Sequence, residues 1–160
     1  MGIHVDAVER LVGAGALPSA EGLRAFAKLN VAEASGMDPA AVRAWRLLGR
    51  ARLVAGETAA ARAFLAYACF LAPDDPEAWE LLATACLSEE RSDEAWNAAS
   101  AALVLKPTWK RAALATLCAD AVGRNDVAER WRSEAWRLVP ADDAPHELLA
   151  RAVGPQEGGA

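Results

Sequence analysis

The sequence predicts an all-α protein, a solenoid of stacked helix-turn-helix repeats. Three observations carry that expectation. A frame of aromatic, apolar and small residues recurs at a spacing of 34. Turn-forming residues recur in phase with it. Alanine supplies much of an apolar share of 54%, which favours helix and lets helices approach closely.

The frame is clearest over 42–75, VRAWRLLGRARLVAGETAAARAFLAYACFLAPDD, where Trp45, Leu48, Gly49, Ala61, Leu65, Ala68 and Pro73 mark it. Adding 34 to each number lands on Trp79, Leu82, Ala83, Ala95, Ala99, Ala102 and Pro107, and a further 33 reaches Ala128, Ala135 and Pro140. Subtracting 34 from the first copy leaves Ala27, Ala34 and Pro39, the second half of a broken copy.

In chain order, Ile3, Val5, Val8, Leu11 and Val12 have helical spacing with Asp6, Glu9 and Arg10 opposite. GAGALP then ends that helix, because glycine frees the backbone and proline cannot donate. Ser19 is expected to cap a new helix running through Leu23, Phe26, Ala27, Leu29, Asn30 and Val31 to Ala34, closed by Gly36. Asp38 followed by Pro39 is a start signal for the next helix. Within the repeats, Gly56 and Gly123 stop the first helix of a pair, with Glu90 at that place in the middle copy, and Thr58, Ser92 and Asn125 two residues on are expected N-caps. Ala61, Ala95 and Ala128 allow close helix crossing, and Trp45 and Trp79 join each repeat to its predecessor. Ala112 stands at the third indole position, with Trp109, Trp131 and Trp136 nearby, so altered local contacts are expected there. After Pro140, DDAPHELLARAV reads as a short helix with Asp142 or Asp143 at its start, Pro145 in its first turn, and Leu148, Leu149 and Val153 to cover the open end. The tail GPQEGGA reads as disordered.

The order W-x2-L-G, A-x3-large, Pro at this period resembles the tetratricopeptide repeat family. That resemblance implies a right-handed superhelix of three repeats over 42–140, preceded by N-terminal helices with a degenerate half repeat over 1–41 and followed by a capping helix over 141–153 and a tail over 154–160. It also implies a concave groove lined by the first helix of each repeat. The matching positions nominate Arg43, Arg46, Arg50 and Leu53 from the first copy, Glu80, Thr84 and Leu87 from the second, and Lys110 and Leu117 from the third as partner-binding residues. Arg43, Arg46 and Arg50 share one helix face. That row could grip an acidic segment, or pair with Glu77 or Glu80 of the next repeat. A subset of the family clamps a terminal carboxylate at positions that hold Arg46, Arg50, Leu81, Lys110 and Leu114 here. Leucine replaces two of its polar anchors, so the clamp is expected to be absent and the groove mixed apolar and basic.

Composition narrows the function. A net charge of −5 disfavours a nucleic-acid or anionic-membrane partner. No apolar run approaches the roughly 18 residues of a membrane span, and the N-terminus lacks a secretory signal pattern, so a cytoplasmic protein is expected. Cys69, Cys86 and Cys118 contain no CxxC pair and sit among apolar residues, as buried thiols rather than a disulfide framework or metal site. His4 and His146 have no evident nucleophile beside them, and no phosphate loop or carboxylate pair stands out. Neither an enzyme nor a cofactor is expected.

The function expected is a non-enzymatic module that binds a peptide or partner protein in the groove, as a bacterial adaptor or assembly factor. The arrangement is also similar to the class II chaperones of type III secretion systems, with an N-terminal helical segment, a Gly-rich break, three repeats and a final helix. LLATAC ending at Cys86, LATLCADA around Cys118 and AYACFLAPDDPEAW carry that second resemblance. It implies a translocator segment as partner and a homodimer through the N-terminal helices.

Overall fold

The computed structural model describes residues 19–140; the N-terminal helix expected at 3–12, the capping helix and the tail lie outside them. Among the described residues there are eight helices and no strand: α1 Ala20–Ala27, α2 Val31–Ala34, α3 Pro39–Val54, α4 Thr58–Leu71, α5 Pro76–Ser88, α6 Ser92–Leu105, α7 Trp109–Ala121 and α8 Asn125–Leu138. Helices α3 and α4, α5 and α6, and α7 and α8 form successive hairpins. α4 stacks on α5 and α6 on α7, while α3, α5 and α7 touch in a row.

The first helix of every hairpin starts on a side-chain cap. Asp38 accepts from the Ala41 amide at 2.8 Å with Pro39 behind it, Asp75 accepts from Glu77 at 3.0 Å ahead of Pro76, and Thr108 accepts from Arg111 at 3.3 Å. Each first helix ends on a left-handed residue, Gly56 (φ 78°), Glu90 (φ 58°) or Gly123 (φ 75°). The following amide then reaches back to a carbonyl five residues earlier: Glu57 to Arg52, Arg91 to Cys86 and Arg124 to Ala119, each 2.9 Å. This is the Schellman closure.

It corrects the expected capping residues. Glu57, Arg91 and Arg124 are the N-caps, and none makes a side-chain cap bond. Their carbonyls already accept from Ala61, Ala95 and Ala128 at 2.9 Å. The second helix therefore begins one residue early, and Thr58, Ser92 and Asn125 are its first helical residues. The single helix expected from Ser19 to Ala34 is also broken. Ser19 caps α1 through the Gly22 amide at 3.0 Å, but Asn30 turns left-handed (φ 46°) and its side-chain oxygen accepts from Glu33 at 3.2 Å to start α2.

The core follows the small-residue frame: Ala61, Ala95, Ala128, Ala99 and Ala102 are fully buried, as are Leu65 and Cys118. Size is exchanged across each hairpin. Trp45 meets Phe64 with ring centroids 5.6 Å apart. The residues at those two places are Trp79 and Ala98 in the second hairpin and Ala112 and Trp131 in the third, one indole per hairpin on opposite helices. Trp109 and Trp131 are both buried, so the third joint is filled despite Ala112.

The first hairpin departs from its expected burial. Leu48 is 45% exposed whereas Leu82 at the same repeat position is 9% exposed, and Tyr67 and Phe70 are exposed where Ala101 and Val104 are buried. Among the described residues no hairpin precedes α3 to cover this edge. α1 crosses instead to α6, and α2 touches α4. Accordingly α6 is buried at nine residues and α4 at five, with Ala20 and Leu23 of α1 also buried.

Candidate functional site

The first helices α5 and α7 lie side by side, and a groove of about 320 Å³ opens between them. Glu80, Thr84 and Leu87 share one face of α5 at i, i+4 and i+7, and Lys110, Leu114 and Leu117 repeat that spacing on α7. With Ser88 and Trp109 these side chains line the groove. Five residues nominated from the sequence, Glu80, Thr84, Leu87, Lys110 and Leu117, are thereby brought together.

The walls are less polar than the residue types suggest. The Thr84 hydroxyl donates to the Glu80 carbonyl at 3.0 Å and the Ser88 hydroxyl to the Thr84 carbonyl at 2.9 Å, so both return to their own helix. The Glu80 carboxylate lies 2.8 Å from Arg111 Nε, and both side chains are partly buried. Lys110 Nζ stands 5.4 Å from the centroid of the Trp109 ring. What remains toward solvent is an apolar strip from the half-buried Leu87 and Leu117, backed by the buried Trp109 ring, with the exposed Lys110 beside it.

The other four nominated residues lie elsewhere. Arg46 Nη1 is 2.6 Å from Asp75 and 3.3 Å from Glu77, and Arg50 is 3.6 Å from Glu77. Two members of the arginine row therefore tie α3 to the first turn of α5. The next joint repeats the rung with the charges exchanged, since Glu80 stands 34 residues after Arg46 and reaches Arg111 in the first turn of α7. Leu53 is half-buried against the core. Arg43 lines a separate cleft near the N-terminal end. Trp109 and Leu114 were absent from the sequence nominations. Leu114 is legible, being one helical turn beyond Lys110, whereas Trp109 lies outside that spacing and reaches the groove only because of where α5 sits.

The rung has a measurable consequence. Arg46→Glu sets a carboxylate against Asp75, which caps α5, and against Glu77. It should cost roughly 1–2 kcal/mol of unfolding free energy, while Arg50→Glu, 61% exposed, should cost well under about 0.5 kcal/mol. Urea melts at low and high salt read the difference, which should shrink as salt screens it. Equal midpoints for the two variants would remove the rung from the stability of this joint.

Among the described residues no three His, Cys, Asp or Glu side chains converge as a metal site, and no helix is long and apolar enough to cross a membrane. The three cysteines are buried and unpaired. Burial raises all three thiols above their ordinary value of 9.0, Cys118 to about 12.

No protein-family model matches the chain, and no curated protein sequence matches it. Among solved structures the chain is similar in fold to a chain of the CopN–Scc3 complex, with a TM-score of 0.68 and 14% identity over 94% of this chain and 96% of that one.

Proposed function

We propose that this chain is a non-enzymatic protein-binding module of the tetratricopeptide type, a cytoplasmic bacterial adaptor or assembly factor that holds an extended segment of a partner in the groove between α5 and α7. The observation that carries the reading is the apolar strip left open there while the neighbouring charges neutralise one another. Main-chain polar groups of an extended segment stay hydrated along such a groove, and alternate side chains seat on Leu87 and Leu117.

A second reading, as a type III secretion chaperone for a translocator protein, is favoured by the likeness over nearly the whole chain to a protein solved in the CopN–Scc3 complex. On that reading the partner segment comes from an aggregation-prone client and the chain keeps it soluble. An N-terminal homodimer belongs to the same reading.

The test compares the wild-type chain with a Leu87→Gln/Leu117→Gln variant as bait for partners, the bound segment being mapped by protected proteolysis and then measured as a synthetic peptide by calorimetry. Removing two apolar anchors should weaken the peptide at least about tenfold, with unchanged far-UV circular dichroism. An affinity equal to that of the wild type places the segment outside this groove. A client that precipitates alone and stays in solution with the chain selects the chaperone reading; a partner that is folded and soluble alone selects the adaptor.

A further inference from the structure

Most cations on the described helices are occupied. Arg46, Arg50, Arg52, Arg62, Arg91, Arg111, Arg132 and Arg137 form ion pairs, and Lys110 and Arg124 sit over indole rings. Among the described residues those without such a partner are Arg24, Lys28, Arg43, Lys106 and Arg130. The first three converge. Arg24 closes α1, Lys28 follows one turn later, Arg43 leans in from the first turns of α3, and all three line one cleft of about 840 Å³. Its floor is apolar, from Met37, Val42 and Leu71. On a chain of net charge −5, three unpaired cations gathered over an apolar floor concentrate positive potential that the rest of the surface lacks.

We propose that this cleft is a second docking site, independent of the groove between α5 and α7, for a short acidic segment of a partner protein that also carries a leucine-sized side chain. The cations are spread over α1, the turn after it and α3 rather than focused on one point, so they suit separate carboxylates along a strand better than one compact phosphate. Glu33 and Asp74 on the same lining reinforce this. They repel a concentrated dianion, whereas an extended peptide can offer them backbone N–H donors. The floor selects against a purely polar acidic run, because apolar contact at Met37, Val42 and Leu71 requires a side chain to fill it. The asymmetry with the groove is chemical: the groove exposes mainly apolar surface with one ammonium group, and the cleft exposes three cations beside its apolar lining.

The probe is a fluorescein-labelled peptide of repeating Asp, Leu and Ser, read by fluorescence anisotropy against the full chain, with a peptide carrying Lys in place of Asp as control. The wild type should bind the acidic peptide at least about tenfold more tightly than the basic one, and Arg24→Glu/Lys28→Glu should abolish that preference. Arg43→Glu alone should weaken the acidic peptide severalfold, and added salt should weaken it for the wild type. All three side chains are exposed and make no partner bond among the described residues, so melting temperatures should hold. The Leu87→Gln/Leu117→Gln variant should bind the acidic peptide as the wild type does. Loss of binding in that variant, or full retention in the double charge reversal, would overturn the proposal, as would equal affinity for the basic peptide.

Discussion

Gly49→Ala is expected to destabilise the protein by about 1–2 kcal/mol net, although the same change on an exposed helix surface would stabilise it by up to about 1 kcal/mol through helix propensity. A Cβ at Gly49 would lie 2.5 Å from Leu65 Cγ and 2.7 Å from its Cδ2. Leu65 has no exposed surface to move into. The clash therefore falls on the branch point of a locked side chain and not on a free end, and overpacking outweighs propensity. At the equivalent places the second hairpin carries Ala83 and Ala99, a larger residue on the first helix against a smaller one on the second. The chain thus indicates the compensating change. Leu65→Ala alone should cost about 2–5 kcal/mol for the cavity it opens, and the Gly49→Ala/Leu65→Ala pair should cost measurably less than the sum of its singles. Chemical unfolding of the four proteins gives the coupling. Strict additivity would mean that the two sites do not sense each other.

The second large effect concerns the thiols. Cys118 is fully buried and its thiol is pushed up to about 12 by loss of solvation; Cys69 and Cys86 are shifted the same way for the same reason. A thiol pushed from the ordinary 9.0 up to about 12 is almost entirely protonated at pH 8. Iodoacetamide should therefore label Cys118 in the native chain at least about a hundredfold more slowly than in guanidinium, by mass spectrometry of tryptic peptides. Fast labelling of the native protein would contradict the burial. The sign for stability follows. The folded-state value is raised, so the contribution is fully present below pH 9 and is lost progressively as pH rises toward 12, where the unfolded chain ionises and the folded one resists. Alkaline melts should show stability falling above pH 9 and none of this loss at neutral pH.

The sequence was most informative where a local rule and the repeat agreed. The 34-residue frame located six of the helices, and the Asp-Pro pair at 38–39 begins a helix as those residue types require. The left-handed place taken by Gly56, Glu90 and Gly123 was legible as a turn, but its closure was not. Reading Thr58, Ser92 and Asn125 as caps treated each turn as two independent helix ends, whereas one backbone bond across it serves both. The site was legible in part for a similar reason. Helical spacing places Glu80, Thr84 and Leu87 on one face and Lys110 with Leu117 on another, yet spacing cannot show which neighbours neutralise a charge.

By itself, then, the sequence determined the six helices of the repeats, their pairing into hairpins and the small-residue frame of the core, because those depend on residues within one repeat and on contacts that recur at a fixed interval. Tertiary structure alone decided the rest. It sent α1 across to α6, left Leu48 and Tyr67 uncovered, chose for Arg46 the pairing with Glu77 over ligand contact and added Asp75 to it, and gathered Arg24, Lys28 and Arg43 around one cleft. Each of these depends on which surface meets which across repeats. A helix pattern specifies an apolar or charged face, but not the partner that covers it or the charge that answers it.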